Sequence, residues 1–84
     1  MIKIIKFGAP WCGPCRVQDK ILEELTREGY EIEKINVDEN EELVEKYSIS
    51  TVPTLLFFDD DKLVERKIGL MRKDEIKKIC ERFQ

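Results

Sequence analysis

Apolar and polar positions divide the chain into seven segments. Ile2 to Phe7 is apolar and rich in β-branched residues, the pattern of a strand buried on both faces. From about Cys12 to Glu28 the apolar positions Val17, Ile21, Leu22 and Leu25 fall at helical spacing. Gly29 supplies the stop, because glycine accepts φ > 0 without penalty. Pro14 is tolerated only in a first turn, where its missing N–H has no intrahelical partner, so the helix starts close to Cys12. Glu31 to Val37 reads as a second strand. Asp38 or Asn40 then caps a short helix, Glu41 to Tyr47, with Asp38 and Glu41 at capping-box spacing. Thr54 to Phe58 is a compact apolar strand, and Asp59-Asp60-Asp61 turns the chain into a fourth, Lys62 to Ile68. The last helix runs from about Lys73 to Phe83, with Ile76, Ile79, Cys80 and Phe83 on its apolar face.

The order strand, helix, strand, helix, strand, strand, helix constrains the topology. The first two strands are joined through a helix, so they run parallel with a right-handed crossover. Only a short turn joins the last two, so they pair antiparallel, and the final strand forms an edge. The central strands are too apolar to face water, so helices cover both faces of the sheet.

Length permits one domain, residues 1–84, with a thin core. No apolar run approaches the ~20 residues of a membrane span. The start, Met1 to Lys6, is too short and too broken by lysine for a signal peptide, which sets the cytoplasm as the expected compartment. A net charge of −3 with interspersed signs gives no basic patch, so neither nucleic acid nor an anionic membrane is an expected partner. A monomer is expected.

Three cysteines is an odd count, and structural disulfides are rare in a reducing compartment. Two of them form Cys12-Gly13-Pro14-Cys15 directly after a strand and at a helix N-terminus. Unpaired N–H groups and the helix dipole favour negative charge there and lower a thiol's pKa. Cys12 is therefore expected to be the more exposed and more acidic thiol. Cys15 lies about one turn on, beside Cys12 and pointing toward the sheet. The pair suits two-step exchange, in which Cys12 attacks a disulfide and Cys15 resolves the mixed disulfide. Zinc would need four ligands, and the chain has no histidine and no second cysteine pair. An iron–sulfur cluster shared between two chains is the remaining metal reading. Cys80 reads as a small buried hydrophobe.

Trp11-Cys12-Gly13-Pro14-Cys15 after a strand resembles the thioredoxin active site. Thr51-Val52-Pro53-Thr54, before an apolar strand, resembles the family's second motif, and Asn36-Val37-Asp38 and Lys67-Ile68-Gly69 also match in order. The resemblance covers the chain from Ile2 onward. It implies a thioredoxin-like α/β fold: a four-stranded mixed sheet, two parallel strands plus an antiparallel hairpin, with three helices covering both faces. The N-terminal strand and helix of longer thioredoxins are lacking. It further implies that Val52–Pro53 is cis beside the cysteines and that the Val52 backbone pairs with an extended substrate. Trp11, Gly13, Pro14, Val52, Pro53, Gly69 and Leu70 would form an apolar docking patch around Cys12.

The implied activity is a dithiol–disulfide oxidoreductase acting on protein disulfides and holding no cofactor. The implied electron donor is a flavin-dependent thioredoxin reductase. The alternatives are a glutathione-linked, glutaredoxin-like reductase and a non-catalytic binding module on the same fold. Glutaredoxins usually carry a Cys-Pro-Tyr-Cys-like pair and a Gly-Gly-x-x-Asp loop, whereas this chain has Gly13-Pro14 and Gly69-Leu70-Met71.

One position departs from the resemblance. Thioredoxins usually place a buried aspartate six residues before the first cysteine, where it helps to move protons for the second. That position here is Lys6, and Lys34 stands where the family has the aspartate's lysine partner. Two buried lysines would repel. Lys6 is expected to snorkel to the rim and to tune thiol pKa values from there. Alternatively, burial drives it toward the neutral form as a base for Cys15, or it pairs with Glu33 or Glu31.

Overall fold

The computed structural model describes residues 1–83. Strands β1 (Ile2–Gly8), β2 (Glu31–Asn36), β3 (Thr54–Asp59) and β4 (Lys62–Ile68) form one sheet in the order β2-β1-β3-β4. β1 pairs parallel with β2, and β3 pairs antiparallel with both β1 and β4. Helices α1 (Gly13–Arg27), α2 (Glu41–Lys46) and α3 (Lys73–Arg82) complete the chain. The expected mixed sheet with three helices and β4 at an edge is thus the observed one.

Side chains alternate across the two central strands, and each face gathers its own core. Ile4 of β1 and Leu55 and Phe57 of β3 pack against Leu22 and Leu25 of α1 and Ile76 and Ile79 of α3. Phe7, Leu56 and Phe58 point the other way, onto Leu43, Val44 and Tyr47 of α2 and its flanks. Cys80 is buried in the first core, where a thiol behaves as a small apolar group.

Two local expectations are corrected. The stripe that α1 buries is Cys15, Gln18, Leu22 and Leu25, while Val17 is 49 % exposed. The stripe runs from Cys15 at spacings of three, four and three, which leaves Val17 about 200° around the helix from Cys15. Gln18 is accommodated by pairing with backbone: its Oε1 accepts the Met71 N–H at 2.7 Å and its Nε2 donates to the Met71 carbonyl at 3.0 Å. That pair ties α1 to the loop before α3. The second correction concerns the helix cap. Asn40, one of the two expected caps, holds the α2 N-cap position, but its side chain makes no capping bond and its Nδ2 donates instead to the Asn36 carbonyl at 2.9 Å. Asp38 instead lies in a 3-10 turn, Val37–Glu39, and Asn36 accepts its N–H at 2.9 Å.

α1 and α3 are also joined by charge. Glu28 sits at the α1 C-terminus, where the helix dipole disfavours a carboxylate. Lys73 and Lys77 of α3 both pair with it, Lys77 at 2.7 Å, and Lys73 reaches Glu24 at 3.5 Å. Hydrogen bonds from Lys73 and Lys77 hold the Glu28 carboxyl below its usual value of 4.5. A depressed folded value contributes stability above 4.5 that is lost as pH falls through the folded value. Glu28→Gln is therefore expected to lower the urea midpoint at neutral pH. The gap between variant and parent should narrow as the pH falls below 4.5 and through the folded value, where the Glu28 carboxyl takes up its proton. A gap that stays constant as the pH falls would assign the effect to packing.

Candidate functional site

β1 ends at Gly8, and Ala9 to Trp11 carry the chain over the end of the sheet into α1. Cys12 is the α1 N-cap in extended backbone (φ −92°, ψ 109°), and Pro14 sits in the first turn as its missing N–H requires. The Cys15 N–H points at Cys12 Sγ at 3.1 Å, so the sulfur takes the place of a capping oxygen. Cys12 and Cys15 form a disulfide, with Cα atoms 5.2 Å apart. Both are buried, at 5 % and 1 % exposure, so the expected exposure of Cys12 reduces to a small difference between them. The pair packs against Ala9, Val37 and Val52, and Cys15 Sγ faces Gly8 of β1.

Val52–Pro53 is cis, and Cys12 Sγ lies 3.9 Å from the Val52 carbonyl oxygen. Pro53 is buried; its carbonyl accepts the Gly69 N–H at 2.8 Å, which brings the loop after β4 against the loop before β3. Gly69 has φ +93°, a conformation open mainly to glycine. Around the cysteines Gly13, Pro14 and Leu70 are exposed, Val52 and Gly69 half-buried, and Trp11 67 % exposed. All seven residues of the expected docking patch lie at this end of the sheet: Trp11, Val52, Pro53, Gly69 and Leu70 in three loops, and Gly13 and Pro14 in the first turn of α1. Trp11 is not loose: its Nε1 donates to Asp38 at 2.9 Å. That partner was not legible in the sequence, being 27 residues away.

Lys6 corrects the expectation most. It does not snorkel to the rim; it is 5 % exposed. Its Nζ donates to Asp19 Oδ1 at 2.7 Å. Neither expected glutamate is its partner, and Glu33 pairs instead with Lys3. Lys34, whose side chain is 41 % exposed, stands 3.9 Å from the same Asp19 oxygen and 3.8 Å from Glu23. The two lysines do not repel unopposed, because a carboxylate from α1 lies between them. No sequence pattern pairs Lys6 with Asp19, since the two lie on different elements 13 residues apart.

Among the described residues no cluster of three or more His, Cys, Asp or Glu side chains is arranged to hold a metal. No described helix is long and apolar enough to cross a membrane. Cys80 is the free thiol, and burial pushes its pKa up. After reduction, two thiols are expected to react with a small disulfide reagent at neutral pH. The third should react only on denaturation, as counted by reagent consumed with and without guanidinium; three fast thiols in the folded protein would show that Cys80 is accessible.

The sequence profile of the family described as Thioredoxin matches residues 1–82. The chain is 41 % identical over 83 residues to thioredoxin of Chlamydia trachomatis, covering 96 % of this chain and 81 % of that protein. It is 40 % identical over 81 residues to thioredoxin of Bacillus subtilis, covering 93 % and 78 %. Among solved structures, a mutant thioredoxin from Halobacterium salinarum superposes with a TM-score of 0.92 at 36 % identity, over 98 % of this chain and 74 % of that one. Fasciola hepatica thioredoxin superposes at 0.89 and 35 % identity, over 99 % and 81 %.

Proposed function

The chain belongs to the thioredoxin family of disulfide oxidoreductases, and from that premise we propose that it reduces protein disulfides through Cys12-Gly13-Pro14-Cys15. One observation carries the reading: the two sulfurs meet at the N-terminus of α1, with Cys12 Sγ 3.9 Å from the Val52 carbonyl oxygen. In the reduced chain the Cys15 N–H and the helix dipole stabilise a Cys12 thiolate. That thiolate attacks one sulfur of the substrate disulfide, the substrate S–S bond breaks, and one substrate thiolate leaves. Cys15 then attacks Cys12 Sγ and expels the second substrate thiolate. Two electrons have passed to the substrate, and the chain is left with the Cys12–Cys15 disulfide.

Trp11, Gly13, Pro14, Val52, Pro53, Gly69 and Leu70 are the proposed docking surface. It is largely apolar and shallow, suited to an extended peptide laid along the Val52 backbone. Lys6 is the proposed tuning residue for the Cys15 thiol, and Lys34 a lesser one because it is more exposed to solvent. A free Cys80 fits the reducing cytoplasm as the site of action.

Resetting the disulfide needs a two-electron donor, and we assign that role to a flavin-dependent thioredoxin reductase. The test is the Cys12–Cys15 potential in a Cys80→Ser background, with reduction assayed against the reductase and against glutathione. A potential near about −270 mV with turnover by the reductase supports the reading. A potential of about −200 to −230 mV with turnover by glutathione replaces it with a glutaredoxin-type reductase. Biological activity that survives replacement of both cysteines by serine would leave only a binding module.

A further inference from the structure

The ion pair beneath the second cysteine is closely built. A Cβ at Gly8 would fall 2.5 Å from Lys6 Cε, 2.6 Å from Lys6 Nζ and 3.1 Å from Cys15 Sγ. Gly8 thus leaves the gap through which the lysine passes under the sulfur. Because both atoms lie so near one point, ammonium and sulfur stand within about 6 Å of each other, a range over which a cation favours a thiolate. Beyond the sulfur, Lys6 reaches Asp19 at 2.7 Å. Asp19 follows Cys15 by four residues on α1, so the two share one helix face. A cavity of about 460 Å³, lined among others by Lys6, Gly8, Cys15, Arg16, Asp19 and Lys34, opens this group to solvent.

We propose that Asp19 is a positioning residue for disulfide exchange, holding the Lys6 ammonium against Cys15 so that the second cysteine attacks as a thiolate. The proposal rests on the disulfide-exchange reading above and adds a residue to it. A buried ammonium without a counter-charge costs several kcal/mol. Without Asp19 the lysine therefore either gives up its proton or swings out to solvent. Both outcomes remove the cation from Cys15. The charged groups that face the pair are Asp19 and Arg16 from α1 and Lys34 from β2, with Glu23 of α1 behind Lys34. From β3 the residue opposite Lys6 is the apolar Leu55. Cys12 itself is the remaining titrating neighbour.

The step balances without a protein base. The Cys15 proton leaves to solvent through the cavity, and the thiolate sulfur bonds to Cys12 Sγ. The bond from Cys12 to the substrate sulfur breaks, and the departing thiolate takes up a proton from solvent. The cysteine pair is oxidised and the substrate reduced by two electrons.

The experiment mixes the reduced Cys80→Ser protein with an aromatic disulfide, 5,5′-dithiobis(2-nitrobenzoate), in a stopped-flow instrument across pH. Two equivalents of coloured thiol should appear. The first phase depends on reagent concentration and reads attack by Cys12; the second does not and reads attack by Cys15. In Asp19→Asn the midpoint of the second phase's pH profile is expected to rise by about one unit, to a tenfold smaller thiolate fraction. Each thiolate becomes about threefold more reactive because nucleophilicity rises with pKa, so the rate at pH 7 falls only about threefold while the alkaline plateau rises about threefold. A structural defect would lower both.

Lys6→Met should reproduce the change, the double variant should add nothing to either, and Asp19→Glu should restore the parent profile. The first phase should keep its profile throughout. If Asp19→Asn fails to fold, Gly8→Ala supplies the same displacement of Lys6 with Asp19 in place, and its second phase should shift the same way. An unmoved midpoint in Asp19→Asn and Lys6→Met, or a downward shift in Asp19→Asn, overturns the proposal and leaves disulfide exchange intact. Absence of any concentration-independent phase in the parent overturns the exchange reading itself.

Discussion

Cys15→Ser is expected to consume one equivalent of a peptide disulfide and then stop, with half of the peptide held on Cys12 as a mixed disulfide. Serine oxygen does not cleave a disulfide at neutral pH, so release then depends on an outside thiol. The parent needs none, because Cys15 is held one helical turn from Cys12, with Cα atoms 5.2 Å apart. Well-oriented intramolecular reactions reach effective concentrations of about 10⁵ M or more, against millimolar thiol in solution. Even a poorly aligned pair should therefore lose at least about a thousandfold in turnover.

Cys12→Ser is expected to fail earlier. The remaining Cys15 is 1 % exposed and faces the sheet, so a peptide cannot reach it and no mixed disulfide should form. Mass spectrometry of each variant after incubation with a disulfide-bonded peptide separates the two stages. Turnover by Cys15→Ser within about tenfold of the parent, in the absence of added thiol, would remove Cys15 from the mechanism. A mixed disulfide on Cys12→Ser would reverse the roles assigned to the two cysteines.

The roles proposed for the two cysteines could be read from the sequence because their determinants are local. Strand, turn, Cys-x-x-Cys and Pro14 are neighbours in sequence, and each restricts backbone within a few residues. The parallel β1–β2 pair, the antiparallel β3–β4 hairpin and the edge position of β4 followed from connection lengths for the same reason, whereas the β1–β3 pairing that completes the order did not. What escaped was set by contacts between elements. Gln18 looks like a solvent residue on α1, yet it is buried because the Met71 backbone, 53 residues away, satisfies both ends of its amide. Asp38 sits at a capping position, yet its carboxylate is taken by Trp11 across a loop. Lys6 occupies an apolar strand without a partner of its own, and periodicity along β1 cannot reveal a carboxylate four residues past Cys15 on α1. In each case a polar side chain was placed by a hydrogen bond that spans elements, and helical or strand period carries no information about such a bond.

Phe57→Ala is expected to be the most damaging substitution outside the cysteines. Phe57 lies on β3, one of the two central strands, and is fully buried. It faces the core that α1 and α3 share with Ile4, Leu22, Ile76 and Ile79. Truncating a buried phenylalanine costs about 3–5 kcal/mol, part lost transfer energy and part cavity. A chain of this size has a total stability on the order of 4–13 kcal/mol. The loss is thus a large fraction of the whole. At about 4–8 °C per kcal/mol for a small domain, the midpoint should fall by more than about 12 °C. Leu63→Ala provides the contrast. Leu63 lies on the edge strand β4 and is already exposed, so its loss should stay within about 1 kcal/mol. The two thermal midpoints, taken under oxidising conditions so that the Cys12–Cys15 bond is constant, decide the matter. Equal shifts would mean that the thin sheet is not organised around the α1–α3 face. A large shift for Phe57 alone would place the stability of the cysteine-bearing helix in the same core that positions β3 behind Pro53, coupling the geometry of the site to the packing beneath it.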